Sequence, residues 1–170
     1  MNKRWKPSAT VAAVIEREGL FLLVEEHTPE GLRLNNPAGH LDPGESPASG
    51  CARETLEETA YQFTPTALVG IYLSRFFRPG NTALDTAAED ITFLRFAYCG
   101  TLGLLDAQRK LDTGIVRTVW LTPDEVRNSA ARHRSPLVLR CMDDYLLGRR
   151  YPMDLVTTDH SVFQTGSLLG

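Results

Sequence analysis

Three glutamates, Glu54, Glu57 and Glu58, stand at positions i, i+3 and i+4 of one stretch of the chain. On an α-helix, residues at this spacing share one face and have Cβ atoms roughly 5–6 Å apart. Carboxylates this close repel one another by roughly 0.2–0.5 kcal/mol per exposed pair, and a divalent cation such as Mg²⁺ would remove that repulsion. A Mg²⁺ that keeps several waters and also meets phosphate oxygens is typical of phosphoryl chemistry. The spacing therefore indicates a metal site.

The same pattern also fits a solvated helix face, which is the commoner meaning of a bare Glu-x-x-Glu-Glu. The surrounding residues favour the metal site in this chain. Arg53 lies beside Glu54 and four residues before Glu57, so its guanidinium can pair with a carboxylate and fix its rotamer. A loop that contains glycine and proline precedes the glutamates, and its free backbone carbonyls, Gly39 among them, could complete the shell of a metal ion.

The element that must carry these glutamates is a helix from Pro47 to about Thr59. Ser46 is a suitable N-cap, and proline suits the first helical position after it. The segment has no proline after position 47 and consists mostly of good helix formers. The sequence therefore predicts a loop followed by a helix that presents the acidic face.

Near the N-terminus, the runs 9–15 and 20–24 flank turn residues 17–19 and predict a β-hairpin. Residues 35–39 interrupt any regular element. The polar loop 79–90 is long enough to act as a lid, although a mobile surface loop explains it at least as well.

Strands outnumber helices in the remainder of the chain. The strand patterns cover residues 64–77, 91–102 and 116–121, and helices are predicted to begin at Thr122-Pro123 and Ser135-Pro136, the last one running to about Leu147. This order of elements favours an α+β fold or an α/β/α sandwich.

Composition is that of an ordinary globular protein. The 170 residues fit one domain, 42% of them are hydrophobic and 23% are charged. A net charge of −3 argues against a nucleic-acid coat or a basic membrane-binding patch, so an anionic substrate needs a cation or a few well-placed Arg and Lys. Cys51, Cys99 and Cys141 are widely spaced, and no apolar leader follows the N-terminus. We therefore expect buried free thiols and a cytoplasmic location.

Residues 39–61 resemble the signature of the Nudix family. That signature is a Gly, five residues, a Glu, seven residues, and then Arg-Glu-apolar-any-Glu-Glu-any-Gly-apolar. Gly39 opens the match, and all the charged positions fit in register, at Glu45, Arg53, Glu54, Glu57 and Glu58. Thr55 departs from the pattern at an aliphatic position, and Ala60 replaces the final glycine. Because glycine accepts a positive φ more readily than alanine, we expect a slightly different turn at the end of the helix.

The likeness covers most of the chain, from about residue 7 to residue 156, and is greatest to the NudJ-type phosphatase subgroup. The segments outside the signature that carry it are 36–41, 93–96, 134–138 and 150–152. The resemblance implies a single Nudix domain over residues 1–170. Its fold would be an α/β/α sandwich, with a mixed β-sheet between helices and the signature forming a loop-helix-loop.

The resemblance also implies roles for the signature residues. The Gly39 carbonyl and the carboxylates of Glu54, Glu57 and Glu58 would hold Mg²⁺, which Mn²⁺ could replace. Arg53 and Glu45 would brace the loop. Glu57 or Glu58 would orient the attacking water or take its proton. The expected catalytic set is therefore Arg53 with the three glutamates.

The subgroup implies removal of a terminal phosphate from small pyrophosphorylated molecules, such as the thiamine-precursor pyrimidine diphosphate, thiamine diphosphate, and nucleoside di- or triphosphates. One alternative is a Nudix pyrophosphatase acting on a nucleoside diphosphate linked to another group. Another is a non-catalytic Nudix domain that binds a ligand and regulates. Such a domain would be expected to have lost signature glutamates, so their presence favours an enzyme. The expected partner is a small diphosphate, and neither a nucleic acid polymer nor a membrane.

Outside the signature, Arg95, Arg134 and Asp112 are candidates for substrate contact. Arg95 lies in an apolar strand, and a buried guanidinium needs a partner, either a phosphate or an internal carboxylate. Arg134 directly precedes a predicted helix, whose N-terminal amides favour anions, although a surface arginine is the simpler interpretation. Asp112, Glu89 and Asp90 could supply a further ligand or base, while a surface carboxylate is the commoner outcome.

Overall fold

The computed structural model describes residues 4–80 and 87–164. Within these ranges the elements follow in the order β1 (Ser8–Val14), β2 (Glu16–Arg17), β3 (Leu20–Thr28), β4 (Gly31–Asn35), β5 (Ala38–His40), α1 (Pro47–Thr59), β6 (Tyr61–Arg78), β7 (Glu89–Leu105), β8 (Ile115–Leu121), α2 (Pro123–Asn128) and α3 (Leu137–Leu146). The centre of the predicted lid loop, residues 81–86, lies outside the described residues, so that role stays a prediction.

The first sheet is mixed and has the strand order β5-β1-β7-β6. Strands β1 and β7 run parallel, whereas β5 and β6 pair antiparallel with their neighbours. Thr10 of β1 lies opposite His40 of β5 on one side and opposite Arg95 of β7 on the other. Residues paired across strands point to the same face, so this register places three polar side chains in one row.

The second sheet is built around β3, which pairs antiparallel with β2, β4 and β8. The hairpin predicted from residues 9–15 and 20–24 is therefore wrong for most of its length. Only Glu16–Arg17 turns back onto β3, while β1 belongs to the first sheet. The physical reason is that residues 11–15 are buried without interruption, which suits an interior strand covered on both faces.

Two helices cover opposite faces of the first sheet, which confirms the α/β/α sandwich. Val11 and Ala13 pack in one core cluster with Cys51 of α1. The alternate residues Ala12 and Val14 pack in the other cluster, together with Val138, Cys141 and Met142 of α3. Successive residues of a strand point to opposite faces, so one strand supplies both cores. The three cysteines, all within the described residues, are buried free thiols, as the sequence predicted.

Helix α1 begins as its local sequence predicts, but it ends against the local preference of Ala60. The Ser46 side chain accepts a hydrogen bond from the Ser49 N–H at 3.1 Å and caps the helix. The altered turn expected at Ala60 is wrong, because Ala60 itself adopts a left-handed conformation with φ of 60°. That conformation costs alanine about 1–2 kcal/mol. It is retained because Ala60 is 4% exposed and its N–H bonds the Leu56 carbonyl at 3.0 Å.

The break predicted across residues 35–39 is also only partly correct. Strand β4 runs to Asn35, and the three-residue strand β5 begins at Ala38, so only Asn36 and Pro37 lie between the two strands. Strand β5 is the element that carries Gly39. Within residues 4–80 and 87–164, no helix combines the length and apolar character that crossing a bilayer requires.

The two leucines Leu68 and Leu73 of β6 provide a matched test of this core, because they are 1% and 65% exposed, respectively. Leu68→Ala should lower the free energy of unfolding by about 2–5 kcal/mol, since it leaves a cavity between the sheet and α1. Leu73→Ala should change it by less than about 0.5 kcal/mol. Urea denaturation followed by circular dichroism measures both. Equal losses in the two variants would contradict the assigned core.

Candidate active site

Helix α1 holds its acidic face against strand β5. The Glu58 Oε2 atom accepts a hydrogen bond from the Ala38 N–H at 2.8 Å. The Glu54 carboxyl lies so close to Gly39 that a Cβ at this position would overlap it. Only glycine therefore allows the strand and the carboxyl to approach this closely. Contact with β5 therefore positions Glu54 and Glu58, while Glu57 is held by Arg53 at 2.9 Å.

Arg53 links the helix to the loop that precedes it. Its Nε and Nη2 atoms donate to the two carboxylate oxygens of Glu45 at 3.0 and 2.7 Å. Its Nη1 atom donates to Glu54 at 2.8 Å and to Glu57 at 2.9 Å. Its Nη2 atom also donates to the carbonyl oxygen of His40 at 3.0 Å. One guanidinium thus connects β5, the loop and two turns of the helix.

Glu45 is fixed from more than one side. Its Oε1 atom also accepts the N–H of Asp42 at 2.8 Å, and the Arg53 guanidinium holds the pKa of this carboxyl below its usual range. A Cβ at Gly50 would come within 2.6 Å of the same oxygen. The structure therefore brings the two predicted bracing residues, Arg53 and Glu45, into a bidentate pair with no spare room around it.

The acidic face is partly withdrawn from water. Burial raises the pKa of Glu58 to about 8, against the opposing hydrogen bond from Ala38, and the carboxylates of Glu54, Glu26 and Asp112 raise it further. Burial is also the main cause of a raised pKa at Glu54. The electrostatic field at this end of α1 therefore disfavours additional negative charge and favours a cation.

The donor set around Gly39 suits a hard divalent ion. The carboxylates of Glu54, Glu57 and Glu58 offer only oxygen atoms, which Mg²⁺ prefers. In the part of the chain that the structure describes, no three Asp, Glu, His or Cys side chains converge as a ready metal shell. The reason is visible in the contacts: Arg53 holds two of the glutamates, and the Ala38 N–H holds the third. A metal ion would therefore compete with Arg53 for the same oxygens.

A cavity of about 470 Å³ adjoins this cluster. It lies over the face of the first sheet that carries the row of His40, Thr10 and Arg95. Its rim includes Gly39, so the glutamates and the cavity share strand β5. A volume of this size is within the range of small-molecule sites.

Of the five candidates outside the signature, three line the cavity and two do not. Arg95 and Arg134 both line the cavity, and burial lowers the pKa of Arg95. The N–H of Asp112 donates to the Glu57 carbonyl at 3.0 Å, which puts this residue beside the cluster and outside the cavity lining. Glu89 lines the cavity but pairs with Arg78 at 3.1 Å. Asp90 is held by Arg75 in an exposed bidentate pair.

Sequence reasoning missed three polar residues of the cavity, Thr10, Glu26 and Asn35. Glu26 directly follows the buried run 21–25 near the end of β3, and Asn35 ends β4. The available signal was a carboxylate and an amide at the ends of apolar strands. This signal was weak, because Thr10 lies in one sheet and the other two residues lie in the second sheet, and only the packing of the two sheets brings all three together.

The chain is similar to known proteins over most of its length. Residues 5–141 match the NUDIX domain family. The protein named Phosphatase NudJ from Escherichia coli strain K12 is 32% identical over 152 residues, which cover 89% of this chain and 92% of that protein.

Solved structures show the same fold. A NUDIX hydrolase from Nitrosomonas europaea superposes with a TM-score of 0.77 at 47% identity, covering 91% of this chain and 98% of the other. A UDP-X diphosphatase superposes with a TM-score of 0.63 at 18% identity, covering 89% of this chain and 68% of its own. At that identity the second likeness concerns the fold alone.

The raised pKa of Glu58 predicts how stability depends on pH without metal. The folded protein keeps this proton up to about pH 8, whereas the unfolded chain releases it near its usual 4.5. The contribution of Glu58 to the free energy of unfolding should therefore fall as pH rises between these values. Glu58→Gln removes the titrating group and should flatten that fall.

Urea denaturation in EDTA at pH 5 and pH 8 measures the difference. Glu30→Gln, which neutralises an exposed carboxylate in the turn between β3 and β4, serves as the control. An unchanged pH dependence in Glu58→Gln would show that this carboxyl is not held in a desolvated position.

Proposed function

This chain belongs to the Nudix family of hydrolases, and on that premise we propose that it removes the terminal phosphate from small pyrophosphorylated molecules with the help of Mg²⁺. The observation that carries the proposal is the acidic face of α1, which is braced by Arg53, closely packed on Gly39 and placed beside a cavity of about 470 Å³. The candidate substrates are the thiamine-precursor pyrimidine diphosphate, thiamine diphosphate, and nucleoside di- and triphosphates.

The proposed metal ligands are the carboxylates of Glu54, Glu57 and Glu58 and the carbonyl oxygen of Gly39. Bound there, Mg²⁺, or Mn²⁺ in its place, would offset the negative charge of the phosphates and lower the pKa of a water. Glu57 or Glu58 orients the attacking water and takes its proton. Arg53 acts as a positioning residue, because its hydrogen bonds fix two of the carboxylates relative to the loop. Attack at the terminal phosphorus yields inorganic phosphate and the shortened molecule.

Substrate contact is proposed for Arg95, Arg134 and Asp112. The two arginines line the cavity and offer donors to a ligand that enters it. Asp112 is anchored through its backbone to Glu57, and its charge contributes to the raised pKa values of Glu54 and Glu58. Both features support a role for Asp112 beside the cluster of glutamates.

Two other functions remain as alternatives. A Nudix pyrophosphatase acting on a nucleoside diphosphate linked to a second group would use the same glutamates. The name of the NudJ relative, a phosphatase, favours release of a terminal phosphate, and the UDP-X diphosphatase is too distant in sequence to favour the alternative. The other alternative, a non-catalytic binding domain, does not account for a complete acidic face held by Arg53. The cytoplasmic location stays a prediction.

Malachite-green detection separates the two enzymatic functions. Direct release of inorganic phosphate from a nucleoside diphosphate or a thiamine-type diphosphate, without an added phosphatase, supports the proposal. Release only from a linked nucleoside diphosphate after an added phosphatase would favour the alternative.

Glu57→Gln should reduce kcat by two orders of magnitude or more, because the amide is neutral and binds a divalent cation poorly. The fold should persist, since Glu57 is partly exposed and the substitution preserves its shape. The measurement is phosphate release at saturating Mg²⁺, with the circular dichroism melting curve as the check on folding. Glu30→Gln should keep the full rate, and an unchanged rate in Glu57→Gln would refute the assigned site.

EDTA should abolish phosphate release, and an excess of Mg²⁺ or Mn²⁺ should restore it, because the carboxylates alone repel an anionic substrate. The assay compares protein dialysed against the chelator with the same protein after metal is added back. An unaltered circular dichroism spectrum in EDTA excludes unfolding as the cause. Full activity after exhaustive chelation would contradict the metal requirement.

A further inference from the structure

The outer edge of strand β6 is open along residues 70–78. β6 is the last strand of the first sheet, and β7 pairs with it on the inner side. The segment after α3 covers the outer edge at one point, where Leu68 and Tyr151 exchange backbone hydrogen bonds of 2.9 and 2.8 Å. Among the described residues, no strand pairs with the outer edge beyond that point. We call residues 70–78 the open segment, and its outward backbone donors and acceptors are available to another strand.

The open segment lacks the features that usually protect an exposed strand from pairing. Its register with β7 runs without a shift from Gly70 to Arg78, so no bulge bends the edge away. It contains no proline and no lysine. Its two charged residues are both paired within the chain, Arg75 with Asp90 at 2.7 and 2.9 Å and Arg78 with Glu89 at 3.1 Å. A regular edge without free charge favours the addition of a strand.

One face of the open segment is also apolar. Ile71, Leu73 and Phe77 alternate along this face and are 47%, 65% and 59% exposed. Arg75 lies among them, and its guanidinium carbon is 5.7 Å from the centroid of the Phe77 ring. Covering these side chains removes apolar surface from water, which favours association.

The open segment is complementary to a second copy of itself. The bridge to Tyr151 bounds it at one end and the end of β6 at Arg78 bounds it at the other, so its midpoint is Ser74. An antiparallel pair that uses the whole segment therefore places Ser74 opposite the same residue of the other copy. Counting outward from that point, the pairs are Leu73 with Arg75, Tyr72 with Phe76, Ile71 with Phe77 and Gly70 with Arg78.

These pairs suit neighbouring strands. Two of them join an aromatic ring to another ring or to a β-branched side chain, which are stabilising combinations across a sheet. The two Arg75 side chains lie opposite leucine and do not meet each other, so no like charges face across the axis. Gly70 has no side chain and leaves room for the long side chain of Arg78. A second copy of this chain supplies the whole pattern, whereas a strand of another protein would have to reproduce it.

We propose that this chain forms a two-fold symmetric dimer through the open segment of β6, so that two four-stranded sheets join into one sheet of eight strands. Ser74 and Phe76 also line the cavity, so the interface borders the candidate site of each chain. The partner subunit's Phe76 would stand beside Tyr72 at that border. The inference goes beyond the proposed function and does not depend on it.

Sedimentation velocity of the full chain tests the dimer. One strand edge is narrower than a standard interface of about 800 Å² per partner, so we expect a dissociation constant on the order of micromolar. The weight-average mass should therefore rise from the 18.9 kDa of one chain towards twice that value as the protein concentration increases from about 1 to about 200 μM.

Two substitutions of Leu73 test the proposed pairing with Arg75. Leu73→Lys places two cations opposite each other and should raise the dissociation constant of the dimer about tenfold or more. Leu73→Glu removes the same apolar side chain but meets an opposite charge, and the pair occurs twice in a symmetric dimer. Its dissociation constant should therefore lie about tenfold below that of Leu73→Lys.

The matched control is Leu104→Lys, because Leu104 is 77% exposed on β7, near the start of β6 and away from the open segment. It should leave the dissociation constant unchanged. Leu73 is exposed in a single chain, so at about 1 μM all three variants should melt at the temperature of the wild type.

A cysteine at the symmetry axis tests the register itself. Residues directly opposite in antiparallel strands have Cα atoms about 4.5–5.5 Å apart, which is within the reach of a disulfide. Under copper–phenanthroline oxidation, Ser74→Cys chains should therefore become linked as dimers on a non-reducing gel. The three native cysteines are buried and should not react. Leu104→Cys, an exposed thiol outside the interface, should stay unlinked.

Three results would overturn the proposal. A chain that stays monomeric up to about 200 μM would leave the open segment to a strand of a different protein. A dimer with the same dissociation constant in Leu73→Lys and in the wild type would have its interface elsewhere. A dimer in which Ser74→Cys is linked no faster than Leu104→Cys would not have β6 paired with its copy.

Discussion

The structure around the candidate site depends on one guanidinium that faces four carboxylates. Arg53 lies within 4.0 Å of Asp42, Glu45, Glu54 and Glu57, so it offsets a local excess of negative charge that the helix alone could not hold together. An arginine suits this position because its planar fork serves several carboxylates at once, whereas a lysine offers a point charge. The same contacts set the distance between the loop and α1. The acidic face of α1 and the loop that precedes it are therefore one electrostatic unit.

Strand β5 connects the acidic face of α1 to the cavity. It has only three residues, but Gly39 packs against Glu54 and lines the cavity, and the N–H of Ala38 holds Glu58. Its pairing with β1 puts His40 in a row with Thr10. Strand β5 therefore borders both the acidic face of α1 and the cavity.

Local signals located α1 and its N-cap correctly, because capping and helix propensity act over a few residues. The N-terminal hairpin was wrong, since a buried strand such as β1 takes its partners from β5 and β7 far along the chain. At Ala60 the local preference against a positive φ was overridden by burial and by the hydrogen bond to Leu56. In each case the error arose where tertiary packing outweighed a local preference.

From the sequence by itself, the resemblance of residues 39–61 to the Nudix signature identified the family and implied the fold class. The acidic face followed from the spacing of Glu54, Glu57 and Glu58, because backbone geometry places residues at that spacing on one face of a helix. It also placed an arginine in an apolar strand. Only the tertiary structure decided that Arg95 shares a cavity with Thr10, Glu26 and Asn35, which come from three other strands in two sheets. Strand pairing is set by burial of the whole core, and no short segment encodes it. The cavity and its polar lining are therefore a property of the assembled sheets.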